Sequence, residues 1–322
     1  MAVTGDEGDI PHVVETRAER FWRGANVVLA GAGLLAIVAI VYTFFRPATL
    51  QQYWLSTFRH PFPLDINYLR DFLTFSDVID ALGITISLGV ASMAAGVVLG
   101  FVAGFARMSR LGVVRVITFL YVGIWRGTPL LLQLLMVAFG LPILLESMDP
   151  SGSGPLTSIG RLVGANPYLA GFIALTLYEG AYMAEIVRAG LLSVDHGQVE
   201  AAKALGMNPV QAMRHVVLPQ ALRVILPPTG NNFIAILKDT SLVSVIGLSE
   251  LTLVAEETYS RNFRVLEVLI GAAVYYLALT TLWTVIQAGI ESRIGTRSEA
   301  GTRARGLAGK SLRALGRRGA HG

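Results

Sequence analysis

Long apolar runs separated by short polar segments dominate this chain. A helix that crosses a bilayer needs about 20 mostly apolar residues, because each residue rises about 1.5 Å against a hydrocarbon core about 30 Å thick. By that rule the sequence predicts about six membrane-spanning helices. They are expected at residues 27–45, 78–106, 113–145, 168–192, 228–248 and 266–290. The third run is too long for one straight span and contains Pro129, and Lys238 and Asp239 interrupt the fifth.

The composition supports an all-α membrane protein and excludes several kinds of site. Hydrophobic residues make up 53% of the chain and charged residues only 15%, whereas a soluble domain carries about 25% charged residues. There is no cysteine, which excludes disulfides, thiolate metal sites and cysteine nucleophiles. The five histidines show no metal-ligand spacing. We therefore expect no metal site, no catalytic residues and no enzyme activity in this chain.

The placement of Lys and Arg predicts the orientation of the spans. The loop after the second span contains Arg107, Arg110 and Arg115 and no acidic residue, and short basic loops lie on the cytoplasmic side. The segment between the fourth and fifth spans and the tail after the sixth are also basic, while the alternate loops are acidic or mixed. Both termini are therefore expected in the cytoplasm, with residues 1–26 as a solvated tail and residues 294–322 as a basic tail.

The second predicted span carries a series of regularly spaced glycines. Gly96, Gly100 and Gly104 form two consecutive small-xxx-small pairs. Such pairs allow helix backbones to approach closely in a membrane. We interpret these glycines as a packing surface rather than as a functional site.

The cytoplasmic segment between the fourth and fifth spans is too polar to cross a membrane and is rich in helix signals. Residues 200–205 are strong helix formers, and Gly206 can end that helix in a left-handed conformation. Asn208 and Pro209 fit the N-cap and the first position of a second helix, which we expect Pro219 to stop. The sequence thus predicts a rigid helix–turn–helix protrusion suited to docking a soluble partner.

The pattern Glu-Ala-Ala-x3-Gly-x9-Val-x-Leu-Pro, which begins at Glu200, resembles the EAA loop of ABC importer permeases, with Val216 where that family often has Ile. Other segments resemble the polar amino acid uptake permeases of the histidine, glutamate, glutamine and arginine type. These segments are residues 126–133, 180–188, 218–221, 227–232 and 238–242. The resemblance covers residues 77–293 and implies a five-helix permease core, to which residues 27–46 add an extra N-terminal span.

The resemblance implies a transport subunit of the bacterial inner membrane that works with several partners. These are ABC ATPase subunits, a second permease subunit (the same or a related chain), an extracytoplasmic solute-binding protein, the lipid bilayer and an amino acid substrate. ATP and Mg would be bound by the ATPase, so we expect no cofactor on this chain. The loop at 199–219 would dock in the ATPase. Its coupling residues are expected to be Glu200, Ala201, Ala202, Gly206, Leu218 and Pro219.

Polar residues inside the predicted spans are candidates for the solute path. A Lys or Asp at the centre of a membrane helix costs about 2.5–3.5 kcal/mol, and an amino acid needs both donors and acceptors. We expect the path to be lined by Glu179, Asn231, Asn232, Asp239 and Ser241. The alternative is that these groups bond other helices of the bundle. Glu185 and Arg188 are three residues apart, so they can share a helix face as a structural pair.

Two other transport functions are alternatives to an ABC permease for amino acids. The chain could serve another small polar solute, or it could be an ion-coupled secondary transporter. A secondary transporter would predict repeated halves with interrupted helices at matching positions, and no such repeat is evident. Residues 304–311 match a permissive phosphate-loop pattern, but no strand precedes them. The basic tail indicates contact with anionic lipid or a topology signal rather than nucleic-acid binding.

Overall fold

The computed structural model describes Gln52, residues 64–149 and residues 152–318, with side chains through Ser292. Every regular element in this part of the chain is helical. In chain order they are α1 (Ile66–Phe72), α2 (Ser76–Arg107), α3 (Gly112–Gly127), α4 (Leu130–Leu135), a π turn (Met136–Gly140), α5 (Leu141–Ser147), α6 (Pro155–Ala165), α7 (Pro167–Leu192), α8 (His196–Ala204), α9 (Pro209–Ala212), a second π turn (Met213–Val217), α10 (Leu218–Asp239), a 3-10 helix (Thr240–Ile246), α11 (Leu251–Asn262) and α12 (Val265–Arg318).

Four stretches of the described residues are long and apolar enough to cross a membrane. They are α2, the continuous stretch Leu130–Ser147, α7 and the part of α12 from Val265 to Ser292. The second, fourth and sixth predicted spans each coincide with one of these helices. The first predicted span, at 27–45, lies outside the described residues. Residues 294–318 of the predicted basic tail continue the backbone helix of α12.

The third predicted span, at 113–145, is divided into separate helices. Helix α3 ends at Gly127, Thr128 and Pro129 are extended, and α4 begins at Leu130. The break arises because proline restricts the residue before it to extended conformations and cannot donate a helical hydrogen bond. The fifth predicted span, at 228–248, is also different, since α10 begins ten residues earlier and a 3-10 helix replaces its last part.

Helices α2 and α7 pack closely against each other, and glycines make this contact possible. The facing pairs are Gly96–Glu179, Gly100–Met183 and Gly104–Val187. The two residues of each pair are 83 positions apart, so the helices run parallel in constant register. A Cβ at Gly100 would lie 2.2 Å from the Cβ of Met183. The packing role predicted for these glycines is thereby confirmed.

Polar caps determine where several helices begin. Asn166 accepts a hydrogen bond from the Leu169 backbone N–H at 3.1 Å, and Pro167 occupies the first position of α7. The Asn166 side chain satisfies one of the free N–H groups at the helix start, and Pro167 has no N–H that would need a partner. Helix α7 then runs 26 residues into the centre of the bundle. Fully buried side chains from four elements meet there, namely Leu88, Leu134, Leu175, Met183 and Ile236.

A buried carboxylate joins the start of α11 to two neighbouring helices. Glu250 is fully buried, and its Oε1 accepts hydrogen bonds from the backbone N–H groups of Thr252 and Leu253 at 2.9 and 3.1 Å. Its Oε2 accepts from the Tyr276 hydroxyl at 2.9 Å and the Thr85 hydroxyl at 3.4 Å. A buried charge is tolerated only when it is paired or hydrogen-bonded. The N-cap of α11 thus also links α2 to α12.

Candidate coupling hairpin and translocation path

The segment from α8 to α9 forms a compact helical hairpin, which we call the coupling hairpin (residues 195–212). Asp195 begins it by accepting a hydrogen bond from the Gly197 N–H at 2.6 Å. Helix α8 ends at Ala204, and Gly206 follows with φ +77°. A residue with a Cβ is strained at that φ, whereas glycine is not. The left-handed conformation predicted for Gly206 is therefore confirmed.

The second half of the coupling hairpin begins with a reciprocal cap. The Gln211 N–H donates to Asn208 Oδ1 and the Asn208 N–H donates to Gln211 Oε1, both at 2.9 Å. Pro209 occupies the first helical position. This arrangement satisfies two N–H groups that a helix start leaves free. The roles predicted for Asn208 and Pro209 are confirmed.

Pro219 does not stop the helix, and that prediction was wrong. Between α9 and α10 the backbone forms a π turn, in which the Leu218 N–H donates to the Met213 carbonyl five residues back. Pro219 therefore lies inside a continuous helix, directly after the π turn and not at a free helix start. The chain runs helically from Pro209 to Asp239 as a result.

The predicted coupling residues occupy different environments. Ala202 is buried and anchors α8, while Glu200 and Ala201 are exposed on it. Leu218 is half-buried and Pro219 is exposed at the start of α10. Exposed apolar side chains that the sequence reasoning missed lie next to Gly206 in the turn and in the second helix.

Two large apolar side chains are exposed at the turn and in α9. Leu205 is 78% exposed and Val210 is 74% exposed. A cavity of about 470 Å³ beside them is lined by Leu205, Gly206, Met207, Gln211 and His215. We interpret these two exposed apolar side chains, on an element capped at both helices, as a candidate contact surface for another protein.

The predicted path residues separate into two groups. Glu179 of α7 is only 2% exposed and accepts a hydrogen bond from Asn232 Nδ2 of α10 at 3.0 Å. Asp239, at the end of α10, is near enough to interact electrostatically with Glu179 and Tyr178. These groups face the α7 side of α10. Glu179 has no hydrogen-bonding partner near it in the sequence, and its partner in the structure, Asn232, comes from another helix.

The other two predicted path residues lie on the side of α10 and the 3-10 helix that faces α12. Asn231 Oδ1 accepts from Gln287 Nε2 of α12 at 3.4 Å. Ser241 donates to the Lys238 carbonyl at 2.7 Å, and both residues line a cavity of about 390 Å³ with Tyr276. The side chains of adjacent residues on a helix point in directions about 100° apart. Asn232 therefore contacts α7, while Asn231 contacts α12.

A cluster of arginines surrounds one carboxylate between α2, α3 and α7. The predicted pair is present, with Arg188 Nε 3.2 Å from Glu185 Oε2. Arg107 also donates to Glu185 Oε1, and Arg126 Nη1 lies 3.8 Å from the same oxygen. Arg126 additionally lies over the Tyr182 ring, 5.1 Å from its centre. Neither additional arginine could be paired with Glu185 from sequence spacing.

The break between α3 and α4 is stabilised by one buried side chain. The two N–H groups of Gln133 Nε2 are shared among three acceptors, which are the carbonyls of Trp125 and Thr128 at 2.8 and 3.0 Å and the Thr128 hydroxyl at 2.8 Å. Carbonyls released at a helix break in a membrane need such partners. Gln133 therefore supplies a hydrogen-bond donor to both carbonyls at the Thr128–Pro129 break.

Comparison with known proteins identifies the family. Residues 96–296 match the family described as the binding-protein-dependent transport system inner membrane component. The chain belongs to this family of permeases. Over 217 residues it is 35% identical to the glutamine transport system permease protein GlnP of Escherichia coli K12, which covers 67% of this chain and 92% of that protein.

Further relatives extend the similarity of this permease. It is 41% identical over 231 residues to the arginine transport system permease protein ArgU of Corynebacterium glutamicum, with 70% of each chain covered. Its structure matches a chain from the crystal structure of an amino acid ABC transporter with histidines. That match has a TM-score of 0.61 and 34% identity, and it covers 72% of this chain and all of the other.

Proposed function

We propose that this permease is the membrane subunit of an ATP-driven ABC importer for polar amino acids. Its relatives include permeases for glutamine and arginine, which supports this substrate class over another small polar solute. We propose that both termini lie in the cytoplasm and that the partners are ABC ATPase subunits, a second permease subunit and an extracytoplasmic solute-binding protein. ATP and Mg are bound and used by the ATPase partner.

The observation that carries this proposal is the continuity of the coupling hairpin with the membrane bundle. Leu205 and Val210 present exposed apolar side chains on a hairpin that is capped at both of its helices. From Pro209 the backbone is helical to Asp239, past Asn232. A partner that docks on the hairpin is therefore connected to the polar groups of the bundle without an intervening loop.

We propose that the solute passes the group formed by Glu179, Asn232 and Asp239. The two carboxylates can attract the ammonium group of an amino acid, while the Asn232 amide supplies both a donor and an acceptor. The hydrogen bond from Asn232 to Glu179 holds the carboxylate in place before the solute arrives. Asn231 contacts α12 instead, which makes it a matched control on the same helix.

The coupling role can be tested by replacing Gly206 with alanine. A Cβ at Gly206 meets no atom within 4 Å, and the same holds for Gly112 at the start of α3. The two sites differ in that only Gly206 has a positive φ, where a Cβ costs about 1–2 kcal/mol. In the reconstituted complex we expect Gly206→Ala to reduce uptake and solute-stimulated ATP hydrolysis, and Gly112→Ala to leave both unchanged. Equal uptake in the two variants, at equal membrane insertion, would refute the coupling role.

The path can be tested by comparing Asn232→Ala with Asn231→Ala. Removing Asn232 leaves Glu179 buried without its hydrogen-bond donor, which costs about 1–3 kcal/mol for the orphaned group. We expect Asn232→Ala to lower amino acid uptake at least tenfold and Asn231→Ala to change it less than twofold. Competition with a panel of amino acids then identifies the substrate. Similar uptake by both variants, at matched expression, would contradict the proposed lining.

A further inference from the structure

A cavity of about 330 Å³ lies where the end of α2 meets the beginning of α3 and the last turns of α7. It is lined by Arg107, Arg115, Val116, Phe119 and Arg188. Its volume is within the range of about 300–1,000 Å³ that is usual for small-ligand sites. Three of its five lining residues are arginines and none is acidic, so its chemistry suits an anion.

The positive charges around the cavity are not balanced by acidic groups among the described residues. Arg107, Arg126 and Arg188 all share the single carboxylate of Glu185. Arg115 is exposed and makes no ion pair within residues 64–149 and 152–292. Among the described residues, three guanidinium groups thus share one carboxylate, and the fourth, that of Arg115, has no acidic partner. The two oxygens of Glu185 cannot accept from all the N–H groups that these arginines present.

The contacts with Glu185 and Phe119 also hold the cationic groups in position. Arg107 is only 16% exposed, donates to Glu185 and lies over the Phe119 ring, 5.6 Å from its centre. Arg188 is held by its own hydrogen bond to Glu185. Side chains that are already ordered lose less conformational entropy when a ligand binds. The cavity therefore has the properties of a preformed anion site.

The apolar side of the cavity indicates where the anion comes from. Val116 and Phe119 are 57% and 60% exposed, and their neighbours Ile117 and Leu120 on α3 are similarly exposed. In a membrane protein such side chains contact acyl chains. Arg107 is the last residue of a 32-residue helix that is long and apolar enough to cross a membrane, and the end of such a helix is where lipid headgroups are expected. A phosphate beside an acyl chain is the arrangement of a phospholipid.

We propose that this cavity binds the headgroup of an anionic phospholipid, with Arg107, Arg115 and Arg188 around the phosphate and an acyl chain along Val116 and Phe119. Basic pockets between membrane helices are a known means of recognising anionic lipid. The lipid belongs to the leaflet where α2 and α7 end. This site is separate from the Glu179–Asn232 group, so it can be tested without any assay of transport.

The test uses the full-length permease purified in detergent and native mass spectrometry with added lipid. The probes are dioleoyl phosphatidylglycerol and dioleoyl phosphatidylcholine, which share acyl chains and differ in net charge. We expect preferential retention of phosphatidylglycerol. Arg115→Gln should weaken that retention about fivefold, as expected for one arginine near an anionic headgroup. Arg110→Gln is the matched control, because Arg110 is exposed in the turn between α2 and α3 and does not line the cavity.

Four results would overturn the proposal. The first is equal retention of the two lipids by the unmodified protein, and the second is the same loss in Arg115→Gln and Arg110→Gln. Displacement of phosphatidylglycerol by millimolar inorganic phosphate would identify a soluble anion as the ligand instead. Retention that rises strongly after deletion of residues 1–26 would identify that acidic tail as the occupant of the cavity.

Discussion

Gly100 offers the sharpest test of how the bundle is packed. In Gly100→Ala the new Cβ would lie 2.2 Å from the Cβ of Met183 and 3.0 Å from its carbonyl carbon. Carbon atoms in contact are normally about 3.5 Å or more apart, so the two helices would have to separate by about 1.3 Å at this point. Neither atom belongs to the flexible end of a side chain, and the strain cannot be relieved by a change of rotamer.

The cost can be measured against a second glycine on the same helix. Gly83 has no atom within 4 Å of a built Cβ, so Gly83→Ala gains the helix propensity of alanine, up to about 1 kcal/mol, without a clash. Gly100→Ala has the same gain and the full steric cost, about 3 kcal/mol at the upper end of the usual range for overpacking. The difference between the two variants isolates the steric term.

The measurement is denaturant-induced unfolding of both purified variants in the same detergent. We expect Gly83→Ala to be at least as stable as the unmodified protein and Gly100→Ala to be about 2 kcal/mol less stable. If Gly100→Ala were as stable as Gly83→Ala, the parallel contact between α2 and α7 would not be as close as described, and the argument from glycine spacing would fail.

Two further predictions concern local contacts. Asn208→Ala removes the cap of α9, which is worth about 1 kcal/mol. Hydrogen exchange of the amides that follow residue 208 should become about fivefold faster. Val210→Ala, at an exposed position, is the control, and equal exchange rates in the two variants would argue against the cap. Glu185→Gln removes the shared counter-charge of the arginine cluster and should lower the free energy of unfolding by about 2 kcal/mol. Glu146→Gln is the control, because Glu146 is 47% exposed and lies 3.8 Å from Arg161. A surface ion pair of this kind contributes about 0–1 kcal/mol. Equal losses of unfolding free energy in the two variants would contradict the role of Glu185 in the arginine cluster.

Features that depend on neighbours along the chain were predictable from the sequence. The left-handed Gly206 and the Asn208 cap require only residues within one turn of each other, and local conformational preferences decide both. The glycine spacing in α2 was also informative, because a small residue every fourth position marks a single helix face. The partner helix of that face could not be named from the spacing.

Features that depend on distant parts of the chain were missed or misjudged. Pro219 was expected to end a helix, but a π turn before it moves the proline into the first turn of α10. Whether such a turn forms depends on packing around it. In the same way Asn231 and Asn232 look equivalent in sequence, and only the positions of α7 and α12 give them different partners.

The helical stretch through the π turn has a mechanical consequence. From Met213 to Asn232 it extends about 28 Å at 1.5 Å per residue. A helical segment of that length, turned as one unit by about 10° around its hairpin end, moves its far end sideways by about 5 Å, roughly the pitch of one helical turn. A small rotation of the hairpin thus becomes a displacement of several ångströms at Asn232, where α10 meets Glu179 of α7.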